Sequence, residues 1–376
     1  MSGLPSIRIG KVFGIPVEIN ASWLFIFLLV AVTLTTGYFP QQLEGRSVLT
    51  YAVMGIVTTF AFFASVLLHE FAHSLVARAG GIRIAKITLF IFGGVSQMEE
   101  EPHRPGLEFV MASAGPGASL VLAALLFLAG EALYALHFTP VVIVVIDYLV
   151  VINLSVGIFN LLPGFPLDGG RILRAILWAI TGDLLKATRW ASRMGQLIGM
   201  CLVAVAVLGV LLFQSFDLIW FAVMGWFISG LATTAYQQQV VKSRLADVPV
   251  SRIMSASPML VPAELTLEDM AHSYFLGGRH TRYPVIADGT VVGLVDIGAA
   301  QSVPRERWPH TTVGEVARRD LSELFVTPET TVDRVLPRLD PSQVGVVLVV
   351  EAGRLAGIVT RADVIRLIQE TSGDAA

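Results

Sequence analysis

The stretch Leu67-Leu68-His69-Glu70-Phe71-Ala72-His73 decides how this chain is interpreted, because it places a His-Glu-x-x-His pattern inside an apolar run over residues 51–77. Residues four apart share one face of an α-helix, so His69 and His73 point the same way. Two imidazoles on one face can ligate one zinc ion, with the neighbouring glutamate as general base. The pattern therefore predicts a catalytic zinc site within a helix.

The apolar residues around this motif favour a functional role for its three ionisable side chains. Ionisable side chains inside a bilayer are costly and usually functional, and three of them within one helical turn need a common reason. A bound metal ion supplies that reason. The alternative is a pair of histidines that hydrogen-bond neighbouring helices beside a protonated Glu70, and the membrane cost makes this the weaker interpretation.

The composition is that of a membrane protein with a soluble tail. Hydrophobic residues make up 54% of the 376 residues and charged residues 15%, and the apolar weight lies before about residue 240. The net charge of −3 gives no reason to expect a nucleic-acid partner. The single cysteine, Cys201, excludes an internal disulfide and is expected to be a small buried residue.

A spanning helix needs about 20 apolar residues. Six runs qualify, at about residues 21–38, 51–77, 109–136, 141–162, 197–213 and 218–236.

Positive charges indicate the orientation of these spans. Lys and Arg residues precede the first span and follow the second, fourth and sixth, whereas the opposite loops contain Arg46 alone. The bias places both termini in the cytoplasm and residues 41–46 outside. His69 and His73 would then lie near the cytoplasmic end of the second span. The first span has no small-residue cleavage site after it and is expected to be retained.

Two segments near the histidine helix have unusual composition. Residues 81–98 are rich in strand-forming types and are interrupted by glycines, which predicts a β-hairpin dipping into the protein beside the metal. Its edge strand could pair with an extended substrate backbone; an amphipathic surface linker is the alternative. Residues 112–119 open the third span with small side chains that favour close packing on the histidine helix, and Pro116 is expected to loosen the helix locally.

A second group of polar residues lies at the end of the fourth span. Two prolines and three glycines within residues 159–171 break the helix there and could turn Asp168 back toward the histidines. A catalytic zinc keeps three protein ligands, so Asp168 would complete a set with His69 and His73. A turn or cap role before Gly169 explains Asp168 equally well. Asn160, two turns earlier on the same helix, could hold an oxyanion or form an interhelical hydrogen bond.

Together the two motifs resemble the site-2 protease family of intramembrane zinc metalloproteases. His69-Glu70-x-x-His73 is followed two spans later by Asn160-x-x-Pro163-x-x-Pro166-Leu167-Asp168-Gly169-Gly170, and both match the family's pattern within residues 1–240. The segments Phe92-Gly93-Gly94 and Ala114-Gly115-Pro116 resemble the family as well. The resemblance implies one Zn²⁺ per chain, Asp168 as its third ligand, and peptide-bond hydrolysis inside the bilayer on a partner's transmembrane helix.

The soluble tail consists of two similar halves. Residues 250–297 and 313–368 echo each other, and each has the order strand, helix, strand, strand, helix. The repeat resembles a tandem pair of cystathionine β-synthase (CBS) domains, which implies an adenine nucleotide, ATP or AMP, between the repeats. Thr360 and Asp363 match the family's ribose- and phosphate-contacting segment, whereas the first repeat departs from it at residues 296–299. One nucleotide site is therefore expected, and a purely structural or dimerising pair is the alternative.

These features predict a multi-pass α-helical membrane protein of six spans with a short membrane-associated β-hairpin, followed by a soluble α/β tandem CBS domain. The expected domains are residues 1–240 and 246–370, with repeats at about 250–300 and 313–368. The expected function is regulated intramembrane proteolysis in the cytoplasmic membrane under nucleotide control, with a helical membrane-protein substrate and a homodimer through the CBS pair. A CBS-regulated transporter or channel would need a continuous polar path or repeats among its spans, and neither is evident. An inactive zinc-bound scaffold is the third hypothesis.

Overall fold

The computed structural model describes residues 6–91, 93–275, 282–339 and 344–373. The chain divides into two compact units, Met1–Gln237 and Gln238–Ala376, and each is described by itself. Among the described residues six helical segments are long and apolar enough to cross a bilayer, which confirms the expected number of spans: Ala21–Gln42, Val48–Ala79, Pro105–Ala135, Pro140–Asn160, Leu184–Phe213 and Phe216–Ala246.

Five of the six spanning segments are longer than the apolar runs that predicted them, and the fourth, Pro140–Asn160, is one residue shorter. Helix α1 (Ala21–Thr33) continues through a π-helical turn at Leu34–Tyr38 into α2 (Phe39–Gln42). The others are α3 (Val48–Ala79), α4 (Pro105–Ala135), α5 (Pro140–Asn160), α6 (Asp168–Thr181), α7 (Leu184–Phe213) and α8 (Ile219–Ala246).

Two expectations about these helices were wrong: the start of the fifth span and the burial of Cys201. Helix α7 begins at Leu184, well before residue 197, because a helix with charged residues on its exposed turns continues beyond the apolar run. Helix α4 continues through Pro116, which lies inside it, and the local loosening expected at this proline stays a prediction. The side chain of Cys201 is exposed on α7, because a small apolar residue of a spanning helix can face lipid as well as a protein core.

A four-stranded sheet lies beside the end of α3. Its strands are β1 (Ser6–Val12), β2 (Ile15–Asn20), β3 (Ile84–Phe90) and β4 (Gly93–Met98), in the order β1-β2-β3-β4. Strands β3 and β4 form the predicted antiparallel hairpin, so the surface-linker alternative is wrong. The parallel pairing of β2 with β3 was not anticipated. Phe92, in the turn of the hairpin, lies outside the described residues.

The sheet packs on α3 through a small apolar cluster. Ile15, Val17 and Ile87 are buried together with Phe71, which lies between the two histidines on α3. Burying each large aliphatic side chain contributes about 1.5–3 kcal/mol. The contact therefore fixes the sheet against the helical turn that carries the His-Glu-x-x-His pattern.

The second unit consists of two similar halves, and it has the tandem CBS architecture that was expected. One sheet has the order β5-β6-β7 and the other β10-β9-β8. The first half contains β5 (Val261–Pro262), α9 (Leu267–Met270), β6 (Arg282–Ala287), β7 (Thr290–Asp296) and α10 (Ile297–Gln301). Helix α11 (Val313–Val316) follows, and the second half contains β8 (Phe325–Val326), α12 (Val332–Val335), β9 (Val346–Glu351), β10 (Arg354–Thr360) and α13 (Arg361–Gly373). Each half has its own apolar core, and a third cluster that includes Leu294, Leu348 and Ile358 joins them.

Candidate metal centre

Helix α3 places both histidines of the motif on one buried face. Its first turn is capped by Ser47, whose side chain accepts a hydrogen bond from the Thr50 amide. The helix then runs without interruption for 32 residues. His69 and His73 are 6% and 7% exposed, and their Nε2 atoms lie 3.2 Å apart. The spacing of four residues thus brings two nitrogen atoms to one point, as the sequence predicts.

Asp168 reaches the same point from another helix. Helix α5 ends at Asn160, the chain turns through residues 161–167, which include a cis Phe165-Pro166 bond, and Asp168 begins α6. Its Oδ2 atom lies 3.1 Å from His69 Nε2 and 3.2 Å from His73 Nε2. The residue before it, Leu167, occupies the cap position of α6 without a side-chain hydrogen bond. The structure therefore brings the three proposed ligands together.

Helix α4 orients the two imidazole rings. His73 Nδ1 lies 2.7 Å from the carbonyl oxygen of Met111, and His69 Nδ1 lies 3.0 Å from Ser119 Oγ. A carbonyl oxygen can only accept, so Nδ1 of His73 carries a hydrogen that it donates to Met111. In the neutral ring this leaves the lone pair on Nε2, which faces the other proposed ligands. Such hydrogen bonds from the second ring nitrogen are the usual support of a metal-bound histidine.

The geometry of these groups fits a zinc ion. Zinc–nitrogen and zinc–oxygen distances of about 2.0–2.1 Å in a tetrahedron separate neighbouring ligand atoms by about 3.3 Å. The ligand atoms of His69, His73 and Asp168 all lie within 4.8 Å of one another, and the closest pairs are 3.1–3.2 Å apart. Three such atoms can lie this close only when a proton or a cation lies between them, and one cation can satisfy all three at once. Two imidazoles and a carboxylate are ligand types that zinc accepts.

Gly115 of α4 leaves room at the point where the ligand atoms meet. A Cβ atom there would lie 2.6 Å from His69 Nε2 and still closer to His73 Nε2. Any larger residue would occupy the place of the ion or displace the rings. The small side chains at the start of α4, interpreted from sequence as a packing surface, therefore also shape the candidate metal site.

Glu70 faces strand β4. A Cβ atom at Gly94 would lie 2.5 Å from Glu70 Cγ and 3.2 Å from its carboxyl carbon, so the strand backbone passes directly over this side chain. The neighbouring Ser96 hydroxyl lies 2.8 Å from the Ser74 hydroxyl of α3, which fastens the strand there. Glu70 is half-buried and is not one of the three grouped ligands, which leaves it free to accept a proton.

Asn160 and Asp168 belong to different helices, so the expectation that they share one helix was wrong. Asn160 is the last residue of α5 and is half-buried. The two helix ends nevertheless touch, because a Cβ atom at Gly169 would contact the carbonyl oxygen of Leu161. Asn160 is therefore one residue away from the backbone that packs on the start of α6.

Charges around the start of α6 affect two groups outside the spans. Burial alone would raise the pKa of Asp168, but the two imidazoles that face it outweigh burial and hold its pKa below the ordinary value. Burial lowers the pKa of Arg171, and the nearby Glu108 carboxylate opposes that shift. Asp168 is accordingly a carboxylate, the form in which it can ligate a metal ion.

In the second unit Thr360 and Asp363 contact each other. Asp363 Oδ2 accepts hydrogen bonds from the Thr360 amide at 2.9 Å and from its hydroxyl at 2.7 Å, and Oδ1 accepts from Arg366 at 2.8 Å. Asp363 is only 6% exposed. The pair forms one half of a capping box at the start of α13. A nucleotide-binding role for the two residues stays a prediction.

Sequence reasoning missed the roles of the groups that support the site. Met111 acts through its backbone carbonyl, which leaves no trace in residue type, and Gly94 and Gly115 act through missing side chains. Ser119 is the polar residue at the end of the small-residue run over 112–119. The available signal was a Ser on the same helical face as Ala112, Gly115 and Pro116.

Comparison with known proteins extends over nearly the whole chain. Residues 57–140 and 136–206 match Peptidase family M50, and residues 250–299 and 313–370 match the CBS domain. The sll0528 protein of Synechocystis is 34% identical over 377 residues, covering 98% of this chain and 96% of that protein. The Rip3 protein of Mycobacterium tuberculosis is 35% identical over 368 residues, covering 96% and 93%. Both are named as zinc metalloproteases.

An archaeal relative matches this chain over nearly its full length. Zinc metalloprotease MJ0392 of Methanocaldococcus jannaschii is 30% identical over 369 residues, covering 96% of this chain and 95% of that protein. Among solved structures, the site-2 protease from the same organism covers 62% of this chain and 95% of its own, at 30% identity and a TM-score of 0.41.

Proposed function

The chain belongs to peptidase family M50, the site-2 type of zinc metalloprotease, and from this premise we propose that it hydrolyses a peptide bond within a transmembrane segment of another membrane protein. One observation carries the proposal: His69 and His73 of a membrane-spanning helix meet Asp168 within 3.2 Å, with Glu70 beside them. The three ligands leave a fourth position for water, as catalytic zinc sites do.

The chemistry divides among the residues. A zinc ion held by His69, His73 and Asp168 would lower the pKa of bound water toward about 7 and so provide a nucleophile at neutral pH. Glu70 accepts the proton of the attacking water and delivers it to the leaving amine nitrogen. Asn160 donates a hydrogen bond to the oxygen that becomes negative as the carbonyl is attacked.

The substrate is a membrane-spanning helix that must first unwind. Amides in a helix are engaged in internal hydrogen bonds, so helix-breaking residues near the scissile bond would reduce the cost of exposing them. Strand β4 is an edge of the four-stranded sheet and passes over Glu70. An extended substrate segment can add to that edge by backbone hydrogen bonds, which would bring its carbonyl groups to the metal.

The orientation of the protein follows from the charge bias of its loops. Both termini lie in the cytoplasm, the protein resides in the cytoplasmic membrane, and the metal site is near its cytoplasmic side. In a Cys201→Ser background, a cysteine introduced at Asp247 should resist a membrane-impermeant thiol reagent in intact cells, and one at Gln42 should react. The reverse pattern would overturn this orientation.

The second unit regulates cleavage by binding an adenine nucleotide. Its two CBS halves supply the cleft, with Thr360 and Asp363 on the nucleotide side, and the pair also provides a surface for a homodimer. The proposed domain limits, residues 1–240 and 246–370, keep the protease and regulatory functions in separate units. A tenfold effect of ATP or AMP on cleavage would need about 1.4 kcal/mol of coupling, a common magnitude for allostery.

The decisive experiment compares membrane proteomes of cells that carry the wild type or Glu70→Gln. Glu70→Gln should retain zinc and lose proteolysis, because a base is not a ligand. Membrane-spanning fragments of the natural substrate should then accumulate in the variant cells. Equal proteomes, or cleavage by Glu70→Gln at the wild-type rate, would contradict the proposal.

A further inference from the structure

A buried ion pair joins α4 to α6. Glu108 of α4 is 1% exposed and Arg174 of α6 is 8% exposed. Arg174 Nε lies 2.7 Å from Glu108 Oε1, and a terminal guanidinium nitrogen of Arg174 contacts the same oxygen. Arg171 Nε stands farther away, at 3.8 Å from that oxygen. Charges at this depth persist only when they are paired, so the two helices are held in one relative position.

Arg174 has a second contact, with the turn that precedes Asp168. Its guanidinium carbon lies 5.1 Å from the centre of the Phe165 ring, within the range of a cation–π interaction. Phe165 is fixed on its other side, because its amide donates to the Ala191 carbonyl at 3.1 Å. One side chain thus contacts α4 at one point and the chain just before the proposed metal ligand at another.

The two contacts of Arg174 lie on the two elements that bring the metal site together. Helix α4 accepts the hydrogen bond of His73 at Met111, three residues after Glu108. Helix α6 begins with Asp168, six residues before Arg174. A shift of α6 relative to α4 would change the distance from Asp168 Oδ2 to the histidine nitrogens, now 3.1 and 3.2 Å.

We propose that Arg174 is a positioning residue for the metal site, which holds Asp168 at ligand distance from His69 and His73 through its contacts with Glu108 and Phe165. Its role in this proposal is to hold Asp168 in place, not to act on the ion or the substrate. The inference rests on the zinc site proposed above. Arg174 should therefore affect how tightly the metal is held, beyond any contribution to the stability of the fold.

The test measures zinc affinity by chelator competition on full-length protein in detergent, together with thermal unfolding. Arg174→Met should weaken zinc binding about ten- to a hundredfold, the usual cost of losing a supporting residue. Arg174→Lys retains the charge but has neither the forked nitrogens nor the planar face, so its loss should be intermediate. Proteolysis by both variants should be restored by excess zinc.

A matched control removes buried volume far from the metal. Met54 of α3 is 3% exposed and lies fifteen residues before His69, about 22 Å along the helix at about 1.5 Å per residue. Met54→Ala should lower thermal stability and leave zinc affinity unchanged. If the Arg174 variants lose no more zinc affinity than Met54→Ala, Arg174 is only structural and the inference is wrong. If Arg174→Met does not fold, the same comparison is made with Arg174→Lys.

The two proposals fail in different ways. Wild-type protein that binds no zinc, or an Asp168→Ala variant with wild-type zinc affinity, would contradict the metal site itself. Wild-type protein that binds one zinc through Asp168, together with Arg174 variants of unchanged affinity, would contradict the positioning role alone.

Discussion

Two aspartates at helix starts, one in each unit, are used in opposite ways. Asp363 lies in the first turn of α13, and both of its oxygens bond within the same turn or the next, to Thr360 and Arg366. Asp168 is the first residue of α6, and its Oδ2 atom faces two histidines that are 95 and 99 residues away in sequence. Both carboxylates are largely buried, so burial alone does not distinguish a cap from a proposed ligand.

The difference lies in the residues that precede each aspartate. Thr360 ends strand β10 with its amide and hydroxyl pointing at Asp363, so the local backbone satisfies the carboxylate. Before Asp168, the cap position is held by Leu167, which offers no side-chain partner. A helix start without a polar cap leaves its acidic residue available to a distant partner.

Exchanging each aspartate for alanine gives the largest expected contrast. Asp168→Ala should weaken zinc binding by more than about a hundredfold, because losing a ligand exceeds the cost of losing an outer partner. Proteolysis should fall with it, whereas Asp363→Ala should leave zinc binding unchanged. Metal analysis of the purified proteins checks both. Stoichiometric zinc of unchanged affinity in Asp168→Ala would erase the distinction between the two aspartates.

Gly115→Ala should have the next largest effect. The new Cβ atom would meet the Nε2 atoms of both histidines, so zinc affinity and proteolysis should fall strongly. Alanine favours a helix by about 1 kcal/mol over glycine, so a purely structural role would predict a more stable protein with normal zinc. Gly117→Ala is the matched control on the same helix, since no atom lies within 4 Å of its Cβ position. Equal zinc affinity in the two variants would contradict the proposed metal position.

Gly94→Ala should impair the proposed base, Glu70, and leave zinc binding by the three proposed ligands unchanged. The added methyl group would press on Glu70 Cγ, 2.5 Å away, and move the carboxylate, since the three atoms nearest to it all belong to Glu70. Proteolysis should fall by up to about 10²–10⁴-fold, the usual contribution of a general base, while zinc content stays at the wild-type level. Cleavage assays and metal analysis on the same preparation measure the two effects. Loss of zinc alongside activity would instead place Glu70 among the ligands.

The smallest effects should come from the helix starts of the second unit. Asp363→Ala should destabilise α13 by about 1–2 kcal/mol, since it removes the cap hydrogen bonds, and should weaken ATP or AMP binding about tenfold. Asp296 is the matched control, because it caps α10 in the first half by accepting from the Ala299 amide at 2.8 Å. Asp296→Ala should lose a cap and retain nucleotide affinity. Calorimetry on the full-length protein distinguishes the two, and equal nucleotide affinities would remove Asp363 from the proposed site.

The parts of this structure that follow local rules could be predicted from sequence. The spans follow from apolar length, and the meeting of His69 with His73 follows from helical spacing. The two halves of the tail follow from their repeated pattern. The residues that form each of these features either lie close together in the sequence or belong to a repeated sequence pattern.

The remainder depends on contacts between distant segments. The position of Asp168 is set by packing of residues 161–167 on α7, where Gly164 approaches the backbone of Gly195 so closely that neither could carry a side chain. Because this packing involves distant residues, the local sequence favours neither the ligand nor the cap interpretation of Asp168. Strand β1 was missed because all seven of its residues are exposed, so it lacks the alternation that marks a half-buried strand.

The parallel pairing of β2 with β3 has a consequence for the order in which the protein is made. Val17 pairs with Ile87, and the chain between these strands contains the first two spans. Strands of one sheet lie on one side of the bilayer, so the chain must cross and return before the pair can form. During synthesis the edge of β2 in the N-terminal hairpin therefore stays unpaired until the first two spans, formed by α1 and α3, have inserted. A chain whose second span fails to return keeps the edge of β2 unpaired, and an open strand edge is prone to pair with other chains.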